Sequence, residues 1–125
     1  LAGHLGKLVK VAGGIFHTHS RTADARMEIL AAYAGLEGAP TGVIRRIFAC
    51  KTTGEAASVI DAEGLEKVYE RIAVNASVKC ADYTYGKVFT GTVLFNDENR
   101  LLYRDEKADR VIGELKNGNI RKNGN

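Results

Sequence analysis

The stretch GHLGKLVKVAGGIFHTHSRTADAR, from Gly3 to Arg26, constrains this chain more than any other. Its apolar residues Leu5, Leu8, Val9, Ala12 and Phe16 fall three and four apart, a single helical stripe that must face a core. Lys7, Lys10 and Gly14 share another face, so both ammonium groups are expected to meet solvent or an anionic partner. The same stretch holds all three histidines, His4, His17 and His19, and four of the fourteen glycines. The Gly13–Gly14 pair costs a helix about 1 kcal/mol per glycine relative to alanine. Either a backbone or ligand approaches closely there, or the helix ends early. A β-strand feeding the GHLG turn has no room ahead of it and is expected upstream of Leu1. With Leu first and Met27 the only methionine, the chain reads as a piece of something longer.

Downstream, His17 to Thr22 reads as a polar loop, and Thr22 or Ser20 caps a helix burying Met27, Leu30, Ala31 and Ala34. Gly35 or Gly38 ends it. A third helix starts at Pro40 or Thr41 and buries Val43, Ile44, Ile47 and Phe48, leaving Arg45 and Arg46 outside. Thr52 and Glu55 have capping-box spacing and open a short helix through Val59 and Ile60. Asp61 is the next expected cap. A longer helix follows on Leu65, Val68, Tyr69 and Ile72, with Glu63 and Lys67 in i, i+4 order, running to about Tyr85 and allowing a break near Asn75. Val88 to Phe95 is rich in β-branched and aromatic residues and reads as a strand. After the turn residues Asn96-Asp97-Glu98-Asn99, Leu101 to Tyr103 returns as a hairpin, or the strand is parallel with a short irregular return. Lys107 to Leu115 is a last helix. Residues 1–116 are thus expected to form one helix-rich α/β domain with few strands, and 117–125 a flexible polar tail.

Composition narrows the function classes. A length of 125 residues suits one domain with a real core. The net charge of +3 is modest and its cations are spread along the chain, a poor footprint for nucleic acid. Two cysteines, Cys50 and Cys80, make no disulfide framework and read as half-buried thiols of a reducing cytoplasm. No apolar run reaches the roughly 18 residues of a membrane span, and no signal-peptide pattern opens the chain.

Four chemistries compete for residues 3–26. Gly3-x-x-Gly6-Lys7 opens a helix whose N-terminus attracts an anion. The glycine spacing is too short for a P-loop, and Leu8 stands where Ser or Thr is needed, so nucleotide hydrolysis is disfavoured while anion or cofactor binding stays open. His17 and His19, with His4 as a third ligand, are weak as a metal site because no cysteine is near in sequence and the geometry is undefined. Acid–base work by a histidine tuned by Asp24 is a third reading. Ser20 lies beside two histidines without a nucleophile elbow, and neither cysteine has an activating neighbour, so covalent catalysis is disfavoured. What survives is a cluster of donors, Lys7, Lys10, His17, His19, Arg21 and Arg26, interrupted by glycines. It suits a polycarboxylate or phosphate-bearing small molecule, held by an enzyme or by a non-catalytic anion- or metal-binding module.

The wording GHLGKLVKVAGGIFHTHSRTADARMEIL, residues 3–30, resembles the C-terminal half of the cobalt-precorrin-5B C1-methyltransferase family of cobalamin biosynthesis. The matching positions are Gly3, His4, Gly6, Lys7, Lys10, Ala12, Gly14, Thr18, His19 and Ser20, then Ala23, Asp24, Ala25 and Arg26. Many relatives carry Asn where this chain has His17, so no role is rested on that residue. The resemblance implies an enzyme of the anaerobic pathway. It moves a methyl group from S-adenosylmethionine to C1 of cobalt-precorrin-5B, whose cobalt belongs to the substrate. It implies a Rossmann-like C-terminal α/β domain, few in strands because an N-terminal α+β domain is missing, so this piece alone is expected to be inactive. The site assignments that go with it are His19 and Asp24 for catalysis and Gly3, His4 and Gly6 for the cofactor. Lys7, Lys10, Thr18, Ser20 and Arg26 are assigned to the substrate, with no protein-bound metal. The expected setting is the cytoplasm, with neither nucleic acid nor membrane as partner.

Overall fold

The computed structural model describes residues 1–16, 25–87 and 89–124, with side chains as far as residue 115. Within them the order is β1 (Ala2–His4), α1 (Leu5–Ala12), α2 (Arg26–Leu36), α3 (Thr41–Ala49), α4 (Thr53–Ala62) and α5 (Lys67–Tyr83). Then come β2 (Val93–Phe95), β3 (Leu101–Arg104) and α6 (Glu106–Gly124). The strands form one mixed sheet in the order β1-β2-β3. β1 runs parallel to β2, with Gly3 opposite Leu94 and His4 opposite Phe95. β2 and β3 are an antiparallel hairpin whose register shifts between Leu94 and Phe95. The domain is therefore helix-rich α/β, as the periodicity predicts, and the two readings of residues 88–103 both hold in part.

Two strand expectations are corrected. The strand expected ahead of the GHLG turn is Ala2–His4 itself, three residues with no alternation to betray them, defined by the ladder to β2. The strand read over Val88–Phe95 is only Val93–Phe95, and Val88 lies outside the described residues. Just before β2 the backbone is drawn elsewhere. Thr92 N–H donates to Asp105 Oδ1 (3.0 Å), and Ala108 N–H donates to the same oxygen (2.7 Å), so Asp105 caps α6 while holding the strand's approach. Ser77 Oγ donates to Asp105 Oδ2 (2.5 Å) and shares a hydrogen bond with Thr92 Oγ1 (2.6 Å). Asp105 is only 4% exposed, and these donors replace the water it loses.

The five helices α1 to α5 follow one another as their spacing requires. α1 and α5 pack together and both touch the sheet, and α2 joins them to the α3–α4 pair. Leu8, Val9, Leu30, Ile47, Ile60, Val68, Ile72 and Leu94 are wholly buried between these layers. α1 stops at Ala12: Gly13 is its C-cap and Gly14 takes a φ of +86°, so the glycine pair serves an early helix end. Phe16 then stacks on Tyr83 with ring centroids 4.3 Å apart.

Local details depart from the expectations: the N-cap of α2 is Ala25 rather than Thr22 or Ser20, and α6 runs from Glu106 to Gly124, through the stretch expected as a flexible tail. Phe48 is 57% exposed, because α3 buries only Val43 and Ile47 fully. Asp61 is no cap; it lies inside α4, and α5 starts at Lys67, so Glu63 is off that helix and pairs with Arg46 (3.1 Å) instead of Lys67. α5 runs unbroken through Asn75, whose Nδ2 donates to Tyr33 Oη (3.2 Å). Asp61 instead accepts the Tyr69 hydroxyl at 2.8 Å, with the Ala57 carbonyl 3.3 Å away. Burial, and then the Asp61 carboxylate, hold the Tyr69 phenol well above its usual pKa. Tyr69→Phe is expected to lower stability by about 1–2 kcal/mol, read from urea denaturation at neutral pH.

Candidate functional site

β1 passes into α1 without a turn: His4 ends the strand and, in extended backbone conformation, is also the N-cap of the helix. Because β1 and β2 are parallel and His4 faces Phe95, their carboxyl ends deliver two segments to one place, the start of α1 and the 96–100 turn. That turn is built by Asn96, whose Oδ1 accepts the N–H groups of Glu98 and Arg100, both at 2.9 Å. Asn99 adopts a φ of +63°, which asparagine tolerates, and its Oδ1 lies 2.8 Å from His4 Nε2.

A third wall comes from α4. Thr52 caps it, accepting the Glu55 N–H at 3.1 Å as the capping-box spacing predicts, while Glu55 Oε2 reaches one residue further back and accepts the Lys51 N–H at 3.0 Å rather than that of Thr52. Gly6 sits where the starts of α1, α2 and α4 meet. A Cβ there would stand 3.3 Å from Thr53 Oγ1 and 3.4 Å from Arg26 Nη1, so a larger residue would crowd both. Between the walls lies a cleft of about 520 Å³ lined by His4, Gly6, Lys7, Lys10, Arg26, Lys51, Thr52, Thr53 and Asp97. Four cations thus converge on it against a single carboxylate among the described residues. Another cleft, between Glu37, Arg71 and neighbouring α5 residues, has mixed charge, and its Arg71 is already paired with Glu37.

Of the residues singled out in the sequence, His4, Gly6, Lys7, Lys10 and Arg26 come together in this cleft. Gly3 does not line it; its Cβ direction points at the Leu8 side chain, 3.6 Å away. Thr18, His19, Ser20 and Asp24 lie outside the described residues, as do His17 and Arg21. The two lysines of α1 differ: Lys7 is exposed, whereas Lys10 is 3% exposed, so of the two expected surroundings, solvent or an anionic partner, solvent holds for Lys7 alone. Lys10 stands in the last turn of α1, where the helix dipole favours a cation, and is flanked by buried Val9 and Val11. Lys51, Thr52, Thr53 and Asp97 were not among the sequence candidates. Their cap and turn chemistry was legible, but nothing local tied them to His4.

Cys50 and Cys80 are free and half-buried. Burial raises both thiol pKa values, and the Glu55 carboxylate adds to the effect at Cys50 against a smaller opposing pull from Arg46. At neutral pH both are expected to be alkylated by iodoacetamide more slowly than a free cysteine, with rates climbing through the alkaline range.

These features define an α/β domain with a cationic cleft at the carboxyl end of a parallel strand pair. The family profile described as CbiD, C-terminal domain, matches residues 17–106, and the chain belongs to that family. It is 40% identical over 121 residues to the cobalt-precorrin-5B C(1)-methyltransferase of Alkaliphilus metalliredigens, a match covering 97% of this chain and 32% of that protein. The proteins of the same name from Moorella thermoacetica and Tolumonas auensis are 42% and 55% identical, over 91% and 93% of this chain and 32% of each relative. The chain therefore spans about a third of the length of these relatives. The resemblance carried by residues 3–30 is borne out. No solved structure matches the chain.

Proposed function

We propose that this chain is the C-terminal domain of a methyltransferase acting on C1 of cobalt-precorrin-5B, with S-adenosylmethionine as donor, in the anaerobic cytoplasmic route to cobalamin. The observation that carries this reading is the convergence of Lys7, Lys10, Arg26 and Lys51 on one cleft. An early corrinoid is a macrocycle edged with carboxylates, and guanidinium and ammonium groups bind such edges through charge-assisted hydrogen bonds. The position also suits the proposal: in α/β sheets ligands bind beyond the carboxyl ends of parallel strands, as in the Rossmann-like scheme we assign to the domain.

The cationic lining suits the carboxylates of the acceptor. Gly6 leaves its stretch of the cleft bare of side chain, and Thr52 and Thr53 line the cleft with it, the Thr53 hydroxyl close against Gly6. When bound, S-adenosylmethionine supplies an electrophilic methyl group on a sulfonium that leaves as a neutral thioether. The chain's own part is placement. Lys10 and Arg26 fix the macrocycle edge, and Lys7 and Lys51 raise the local concentration of a polyanion. His4, held by Asn99, offers a fixed ring beside Gly6. Thr18 and Ser20 extend the substrate contacts, Gly3 supports the cofactor turn from beneath, and His19 with Asp24 is the proposed acid–base pair. The remainder of the full-length protein completes the site, and this domain alone is expected to be inactive.

The test is a single-turnover assay of the full-length protein with cobalt-precorrin-5B and S-adenosylmethionine. A product heavier by one methyl group, with the label at C1, is expected. No methylation under conditions where both ligands bind would overturn the reading.

A further inference from the structure

We propose that the outer face of the sheet, with the groove beside it, receives the part of the full-length protein that precedes Leu1; this rests on the reading above of the chain as a C-terminal domain. One face of the sheet is turned to the helices. Leu94 is wholly buried there, a Cβ on its partner Gly3 would meet the Leu8 side chain of α1, and Tyr103, opposite Leu94, packs on the same core. Side chains alternate along a strand, so Ala2, Val93 and Phe95 belong to the other face. There Ala2 is exposed, Val93 and Phe95 are half-buried, and Leu101, opposite Phe95, is 49% exposed. Arg104, opposite Val93, is paired with Asp109 of α6, so its charge is already matched. A parallel strand pair such as β1–β2 ordinarily has both of its faces covered.

α6 borders that face and leaves a groove of about 250 Å³, walled by Ala2 and Val93 on one side and by Val111 and Ile112 on the other. Among the described residues, no ionisable side chain lines it. Phe89 lines it too; its ring is half-exposed and lies under the Arg110 guanidinium, 5.1 Å from the ring centroid. Large apolar side chains set around a groove in this way anchor a partner by excluding water. The occupant follows from length and direction. The chain spans 32% of a relative's length, and the profile it matches is that of a C-terminal domain, which places most of a full-length member ahead of Leu1. Leu1 lines the groove, and its nitrogen donates to the Gly91 carbonyl at 3.0 Å, so the parallel ladder runs up to that residue. Residues ahead of it continue β1 past Gly91 and Phe89, along the groove. Among the described strands β1 is also an edge of the sheet, and an edge takes up a further strand through its backbone groups. An apolar segment from the preceding part of the protein therefore covers this face.

The test places a photo-crosslinker at the groove of the full-length protein, as Phe89→benzoylphenylalanine, with Phe48→benzoylphenylalanine on α3 as the exposed control. Irradiated samples over a dilution series are read by peptide mass spectrometry. Crosslinks from position 89 to residues ahead of Leu1 of the same chain are expected, with a yield indifferent to dilution. That yield is expected to be about tenfold above the yield from position 48, since insertion needs a C–H bond held within about 4 Å. Crosslinks between two chains that fade on dilution would put a second copy on this face and overturn the proposal. Crosslinks confined to residues 1–125, or none above the control, overturn it as well. Should the first variant fail to fold, Ile112→benzoylphenylalanine on the other wall is read in the same way. The experiment uses neither methyl donor nor acceptor, so its failure is distinct from a failure of the methylation assay.

Discussion

Gly91→Ala is expected to leave the domain unfolded in water at room temperature. A Cβ at Gly91 would lie 2.0 Å from the Ala108 nitrogen, 2.2 Å from Ala108 Cα and 2.4 Å from the Lys107 carbonyl carbon. All three are backbone atoms, so no side chain can rotate away and the first turn of α6 would have to move. That turn is held by Asp105, which accepts hydrogen bonds from the Ala108 and Thr92 N–H groups and from Ser77. Moving α6 would strip a buried carboxylate of its donors as well as opening the strand. The combined cost is about 4 kcal/mol or more, comparable with the whole stability of a small domain at roughly 5–15 kcal/mol. Asp105→Ala removes the donors' acceptor without the clash and is expected to cost about 3 kcal/mol. Circular dichroism and urea denaturation read both; a Gly91→Ala domain with an unshifted midpoint would show that the two backbones do not meet this closely.

The second large effect concerns the two lysines of α1. In the full-length protein, Lys10→Met is expected to lower kcat/KM about ten- to a hundredfold, whereas Lys7→Met is expected to lower it about two- to five-fold. Both line the same cleft, three residues apart on one helix, but only Lys10 is withdrawn from water. A charge-assisted hydrogen bond made in a desolvated place is worth about 1.5–3 kcal/mol, and an exposed pair about 0.2–1 kcal/mol. The smaller Lys7 effect is also expected to fade as salt is raised, because an exposed charge is screened and a buried one is not. Equal losses for the two variants would mean that the burial of Lys10 has no bearing on the ligand.

Much of this domain was legible from local chemistry. The Thr52–Glu55 cap, the helical stripes on Leu8, Leu30 and Ile72, and the asparagine-rich turn before Leu101 each depend on residues within a few positions of one another. They appear where the spacing puts them. What could not be read depends on partners far along the chain. β1 is three residues long and acquires its identity from Val93–Phe95. Gly91 and Thr92 look like strand, but the Thr92 N–H is taken by the Asp105 side chain. Helical periodicity gives the face of Lys10, but not its burial once α2 and α5 have packed against α1. Half of the candidate site was read in this way, His4, Gly6, Lys7, Lys10 and Arg26. Asp97 needed the parallel pairing that brings residues 4 and 95 side by side, and Lys51 the packing of α4 beside Gly6.

That pairing also sets an order of assembly. The Leu1 nitrogen donates to the Gly91 carbonyl at 3.0 Å, across a separation of ninety positions in the chain. The five helices between them are built from local contacts and can form as soon as their residues are available, while the β1–β2 ladder must wait for the strand at its far end. Closing so long a loop is slow unless its ends are already brought near each other. The packed helices do that work, acting as a scaffold that presents Ala2–His4 to Val93–Phe95. The cleft at the end of the ladder accordingly takes its shape only where both ends of that long loop have met.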